Sequence, residues 1–433
     1  MNDDRSSELT IAAINDLAPA PFGGLAHGVF LARVADQPAV SPAARLGQGA
    51  FLALRLVDLL RSDAAPVTPD VFRYQHAATE RYCQELDAGA PEAAHLVGLV
   101  HSAMDAHRAG RVALVGPALF AYAHFLEDEG QYEEALDVLE TMLLVGAGKL
   151  GERDLIAGLL RNARVLRKLG RFDEAEATYG AAGARADTAG DRYSQLLSRI
   201  GRTNIAVTRG NLAAAQTSYE AILADAELAG EQDAQARAEH GLGVTHEIRG
   251  RRDTAVSHFW NAYQLYDDEP SKLRALHDLG LTLRALGEYD AAQRAFRRVL
   301  EGETPDGLSN PMIELMYLAS AQGDRVGFER WRDRAATLEP KMTPNSRVDY
   351  YLKCGIGLAR FGNITRAKDL LTGARSLAAE HGLHEFEFRI ERIQAGLPEC
   401  EQILDVCSPP SQEPQYDFEP VREVAASLAQ LVG

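Results

Sequence analysis

The sequence predicts an all-α fold, a solenoid of antiparallel helix pairs. Three observations carry that expectation. Seven segments repeat a Gly followed by an Ala-containing amphipathic run, at Gly130, Gly170, Gly210, Gly250, Gly287, Gly323 and Gly362, spaced 40, 40, 40, 37, 36 and 39 residues apart. Apolar residues precede the Gly at helical spacing, as in LHDLGLTLRAL before Gly287 and AEHGLGVTHEI before Gly250. Composition is globular, with 46% hydrophobic and 25% charged residues, so 433 residues can bury one long core or several compact ones.

Residues 1–110 are predicted as an N-terminal helical cap. SPAARLGQGAFLALRLVDLLR is amphipathic, Thr68 with Pro69 starts the helix VFRYQHAATERYCQEL, and PEAAHLVGLVHSAMDAHR is stopped by Gly110. These stretches lack the Gly and Ala register, and a stack of helix pairs needs its terminal apolar face covered. The alternative, a DNA-binding helix-turn-helix, lacks a basic recognition helix here.

Residues 111–396 hold the repeats. Six copies carry Ala five residues after the Gly, namely Ala135, Ala175, Ala215, Ala255, Ala292 and Ala367; Phe328 is the exception. Two helices of a hairpin pack most closely near their turn, so the first inward position of the second helix must be small. Nine residues after the Gly stands a large apolar residue: Leu139, Tyr179, Tyr219, Phe259, Phe296 and Leu371. Seven before it stands a small one, Ala123, Ala163, Gly243, Gly280 or Gly355. The turn Gly suits the left-handed conformation that ends a helix. Unrelated amphipathic helices would not share these matched positions over seven copies.

Residues 397–433 change character. LPECEQILDVCSPPSQEPQYDFEP mixes Pro, Ser and acids like a flexible connector, and the amphipathic helix VREVAASLAQLV closes the chain, either capping the last repeat or docking into the chain's own groove or into another subunit.

The net charge of −17 repels nucleic-acid phosphates and anionic lipid, so neither is expected as a partner. Sparse cysteines (Cys83, Cys354, Cys400 and Cys407), no basic-then-apolar leader and no apolar run of membrane length together predict a cytoplasmic protein. Arg far outnumbers Lys and Ala is abundant, which points to a GC-rich bacterial genome. Phosphate loop, HExxH and GxSxG motifs are missing, and Cys400 with Cys407 has no second pair to complete a zinc site, so no enzyme, cofactor or metal is expected.

The small residue, Gly, Ala and large residue, in this order, resemble the tetratricopeptide repeat over residues 117 to 382. That resemblance implies a right-handed superhelical solenoid of about seven repeats. Spacings of 36 to 40 exceed the family's 34, so longer helices are expected, with inter-repeat turns at RADTAGD and DAELAGEQD. The repeat at Gly323 departs most, with Met316 in the small position, Arg325 and Phe328.

In such arrays the first helix of each pair lines the concave groove, with positions thirteen, ten, six, three and two before the turn Gly facing a ligand. The register selects Arg164, Arg167, Lys168, Asn204, Arg237, His240, Arg274, His277 and Arg284 as partner-binding residues, and Glu127, Asp128 and Glu247 as the main acids in the first five repeats. A locally basic groove in an acidic chain is suited to carboxylates, through charge-assisted Arg forks. The resemblance likewise implies an acidic segment or a C-terminal carboxylate as guest. Arginines that pair with neighbouring helices would give the same pattern without binding. The expected function is a non-catalytic protein- or peptide-binding scaffold; the alternative is a ligand- or peptide-responsive regulator, such as a transcription regulator, without its own effector domain.

Overall fold

The computed structural model describes residues 25–35, 41–61, 68–302, 309–402 and 419–431, and among these every regular element is a helix. None is long and apolar enough to cross a membrane. The residues fall into two compact units, Met1–Asn211 and Leu212–Gly433.

The first unit opens with α1 (Gly28–Ala35), α2 (Pro42–Asp58), α3 (Pro69–Gln84) and α4 (Pro91–Ala109). Thr68 caps α3 by accepting from the Val71 amide at 3.4 Å, and Gly110 ends α4 in the left-handed region at φ 61°. There follow α5 (Gly116–Asp128), α6 (Tyr132–Val145), α7 (Glu152–Lys168), α8 (Phe172–Ala189) and α9 (Arg192–Thr208). Consecutive helices pack on one another, and α7 also meets α9, so first helices stack on first helices. The α1 and α2 helices pack on α6, and α4 packs on α5.

Charge fixes α1 there. His27, 5% exposed and at φ 61°, bonds the Asp137 carboxylate through Nδ1 at 2.6 Å and that of Asp58 through Nε2 at 3.1 Å. Burial disfavours its imidazolium, but the two carboxylates outweigh that cost and push its pKa up from 6.5 to about 9. Arg33 adds an ion pair to Glu92 at 2.9 Å and one to Glu134 at 3.1 Å.

The second unit contains α10 (Leu212–Ala229), α11 (Gln232–Ile248), α12 (Arg252–Leu265), α13 (Glu269–Ala285), α14 (Tyr289–Glu301), α15 (Ser309–Ala321), α16 (Arg325–Ala336), α17 (Pro344–Arg360) and α18 (Ile364–Glu380), again packed in chain order. All seven predicted turn glycines take positive φ, between 74° and 86°. Each turn closes alike: at Gly287, the glycine amide donates to Arg284 O and the Glu288 amide to Leu283 O, at 3.2 and 2.9 Å. Gly190 and Gly230 end the longer helices α8 and α10, at the two predicted inter-repeat turns.

The small and large positions meet across the turn. A Cβ on Gly243 would lie 2.7 Å from the Phe259 ring, one on Gly280 2.8 Å from Phe296, and one on Gly355 2.8 Å from Leu371. All six predicted alanines are fully buried. The deviant repeat also packs: Met316 and Phe328 are fully buried, and Gly357 on the following first helix leaves the space that Phe328 fills.

Beyond the repeats, α19 (His384–Gln402) packs on α17 and α18 and buries Ile390. It runs on past Leu397, so the residues read as the start of a connector continue a helix; the rest of that segment, with Cys407, lies outside the described residues, as does the Cys400 side chain. The last helix, α20 (Glu419–Leu431), does not cap the final repeat. Its stripe of Val421, Val424 and Leu428 is buried and the helix lies on α12 and α14, the second helices of the pairs at Gly250 and Gly287. The final repeat is already covered by α19, which leaves α20 to bury its stripe elsewhere.

Two outcomes test this packing. Gly280→Ala should cost roughly 1–3 kcal/mol in urea unfolding because Phe296 has no room to yield, while Gly373→Ala, an exposed helical position with nothing within 4 Å, should stabilise by about 0.5–1 kcal/mol. Equal effects would refute the interlock. The His27 pKa is raised by folding, so its contribution, at most on the order of 3 kcal/mol, should be complete below pH 6.5 and lost as pH rises through about 9. His27→Gln should flatten that alkaline loss in pH-dependent unfolding, and an unchanged profile would contradict it.

Candidate functional site

The register that selects groove positions places five of its residues around one cleft in the first unit. Pro117, Phe120, His124 and Asp128 lie thirteen, ten, six and two positions before Gly130, and Ala157 thirteen before Gly170; all line a volume of about 620 Å³. The lining is mainly apolar, with Phe125 and Met142 contributing, and such a volume lies within the range of ligand sites. The His124 ring holds Asp128 at 2.8 Å, and His95, whose pKa burial lowers, packs against Phe125 with centroids 4.9 Å apart.

Beside the cleft two of the predicted cations, Arg164 and Lys168, converge on one acid together with Arg161, which the register did not select. Glu127 has a fully buried side chain; Arg161 and Arg164 reach its two oxygens at 2.6 Å each, and the Lys168 ammonium stands 3.0 Å away. Burial alone would raise the Glu127 pKa, but these cations bring it down to about 2. Arg161 bridges to the cleft by lying over the Phe120 ring, 5.6 Å from its centre. Arg167 turns instead to the Tyr179 hydroxyl, and Asn204 is half-buried on α9.

In the second unit, the Arg237 Nε meets Asp233 one turn away at 2.6 Å. His240 bonds Asp278 at 2.8 Å and the Tyr266 hydroxyl at 3.3 Å. Arg274 is exposed, whereas His277 packs on Phe296, and burial lowers its pKa, so it supplies no cation near neutrality. Arg284 pairs with Glu314 at 3.2 Å and lies over Tyr317, 5.0 Å from the ring centre. Glu314 also takes the buried Lys353 ammonium, which bridges to Asp349, both contacts at 2.5 Å. Burial opposes ionisation of Glu314, yet Lys353 and Arg284 hold its pKa below the ordinary value.

Arg164, Lys168, Arg237, His240 and Arg284 thus each have a carboxylate partner, so the charge of this wall is largely compensated. The sequence reading passed over Glu314, Lys353, Asp349, Tyr317 and Arg360. Asp349, Tyr317 and Arg360 sit thirteen, six and two positions before their turn glycines, in the same register carried into the last two repeats. Glu314 and Lys353 stand nine before, as do Arg161 and Asp278, and a helix places that position beside those thirteen and six before.

The family model for the tetratricopeptide repeat matches residues 234–302, which span α11 to α14. Residues 234–302 carry tetratricopeptide repeats. No curated protein matches the sequence. Among solved structures, the apo quorum sensor NprR from B. thuringiensis is similar at 10% identity over 86% of this chain and 99% of its own, with a TM-score of 0.50. The Rap conjugation gene regulator of plasmid pLS20, solved with the Phr* peptide, is similar at 12% identity over 80% of this chain and 96% of its own, with a TM-score of 0.51. At such identity the likeness is one of fold, and the tetratricopeptide hairpins described above are its substance.

Because folding lowers the Glu127 pKa from 4.5 to about 2, its stabilisation should be full above pH 4.5 and vanish as pH falls towards 2. Glu127→Gln should cost about 1–3 kcal/mol at neutral pH, the partly exposed cations recovering some solvation. Acid unfolding of the two proteins should converge at low pH; parallel curves would refute the assignment.

Proposed function

We propose that this chain is a non-catalytic, cytoplasmic scaffold that holds a protein or peptide segment against the first helices of its tetratricopeptide repeats. The observation that carries this reading is the cleft: positions chosen by groove register line a mainly apolar hollow of about 620 Å³, with Asp128 and Asp154 also in its lining and the Arg161 guanidinium over the Phe120 ring. An apolar side chain of a guest fits the hollow, and acidic groups of the guest fit cations elsewhere on the first helices, such as the exposed Arg274, through many weak contacts. The proposed partner-binding residues are Arg164, Arg167, Lys168, Asn204, Arg237, His240, Arg274 and Arg284, with His277 contributing shape. Buried thiols at Cys83 and Cys354 accord with a reducing compartment.

A second reading, a peptide-responsive regulator, is favoured by one observation: the pLS20 regulator of similar fold is solved with a peptide. Stabilisation by small molecules or short peptides in a thermal shift assay would select it.

The scaffold reading is tested by capture from lysate on the immobilised full chain. Ala121→Trp, which fills the cleft from an exposed position, and Arg274→Glu should together weaken capture tenfold or more, with helical circular dichroism unchanged. Undiminished capture would overturn the reading.

A further inference from the structure

Many cations on the first helices meet acids, but a different arrangement lies where α13, α15 and α17 each contribute a register residue. Arg284 and Arg360 sit over the ring of Tyr317, their guanidinium carbons 5.0 and 4.5 Å from its centre. Arg284 spends its charge on Glu314, although the two facing atoms, 3.2 Å apart, are not aligned as a hydrogen bond. Arg360 has no carboxylate at all among the described residues: Nη1 donates to Ser320 Oγ at 2.8 Å and Nη2 to the Tyr317 hydroxyl oxygen at 3.1 Å, both neutral groups. Arg389, exposed on α19, adds to the same field.

The balance of charge here is positive. Glu314 and Asp349 offset Lys353 and Arg284, and among the described residues no carboxylate pairs with Arg360. Tyr317 registers the consequence: burial raises a phenol's pKa, yet the guanidiniums of Arg360, Arg284 and Arg389 bring this one below its ordinary value. Its oxygen accepts from Arg360, which leaves the phenolic proton to be donated. A half-buried hydroxyl donor flanked by a guanidinium fork without an acid is what an oxyanion requires.

We propose that Tyr317, Arg360 and Arg284, with Arg389 at the rim, form an oxyanion subsite that receives a carboxylate or phosphate group. An anion held here would belong to the peptide guest proposed above, so the subsite rests on that reading for the anion's source, though not for its chemistry. Its place, in the last three first helices, differs from the cluster around Glu127, where a buried acid of the chain already occupies the cations.

The test is calorimetric titration of the full chain with inorganic phosphate and, separately, with N-acetylglutamate, each against chloride of equal ionic strength. Saturable binding is expected, weakened at least tenfold by Arg360→Gln and severalfold by Tyr317→Phe, and unchanged by Arg297→Gln, which removes an exposed cation outside the cluster. Preference for phosphate would assign the anion to a phosphorylated segment, and preference for glutamate to an acidic one. A readout specific to the site is the phenolate difference spectrum of the parent protein against Tyr317→Phe: a bound anion cancels the local positive field, so ionisation of Tyr317 should move to higher pH. Absence of saturable binding, binding equal in all variants, or an unmoved phenolate spectrum would overturn the proposal. Tyr317→Phe removes only a hydroxyl, so it decides the matter even if Arg360→Gln impairs folding. These titrations need no partner, so they can fail while lysate capture succeeds, and the reverse.

Discussion

Across the turns at Gly250, Gly287 and Gly362, a residue that has no side chain faces one that has a large one, and the rest of the wall is positioned by that exchange of volume. Phe259 lies where a Cβ on Gly243 would be, Phe296 where one on Gly280 would be, and Leu371 where one on Gly355 would be. Close-packed interiors give little under compression, so this pairing fixes how far apart the two helices of a hairpin stand and how each is rotated about its axis. Rotation then decides which positions of the first helix face outward. The repeat at Gly323 shows that volume matters more than position: Phe328 replaces the usual small residue, and the missing space reappears at Gly357 on the next helix.

Once the rotation is set, side chains nine positions before the turn are carried onto the same strip as those thirteen and six before. On that strip acids and bases of successive first helices reach each other: Glu127 draws Arg161, Arg164 and Lys168, His240 reaches Asp278, and Glu314 collects Arg284 and Lys353. Burying Glu127 and Glu314 is tolerable only because cations converge on each, which ties each helix to the next by charge as well as by apolar packing. The same convergence explains why a strip rich in arginine is not strongly basic.

How much of this was legible depends on how far the deciding partner lies along the chain. Turn glycines, buried alanines and the large apolar residues were readable because their partners lie within one hairpin, a fixed number of residues away. The Thr68 cap and the Gly110 stop are more local still. Charge pairing was not readable: Arg164 meets an acid 37 residues away and Lys353 one 39 residues away, and the sequence does not say which of several outward positions will face which across a helix boundary. The seat of α20 was the least legible, since its stripe of Val421, Val424 and Leu428 advertises an apolar face without naming the surface that covers it.

The acidity of the whole chain bears on how such a wall could take an anionic guest. A net charge of −17 repels an anion at long range, but screening confines that repulsion to roughly 8–10 Å at physiological salt. Cations compensated by neighbouring acids, as around Glu127, add little attraction beyond contact distance. Arg360, held by neutral hydroxyls, keeps its charge unspent, so the local sign is inverted just where the first helices of the last three repeats meet. Selection there would act at contact, through the direction and number of donors, because the chain's own field offers no steering towards it.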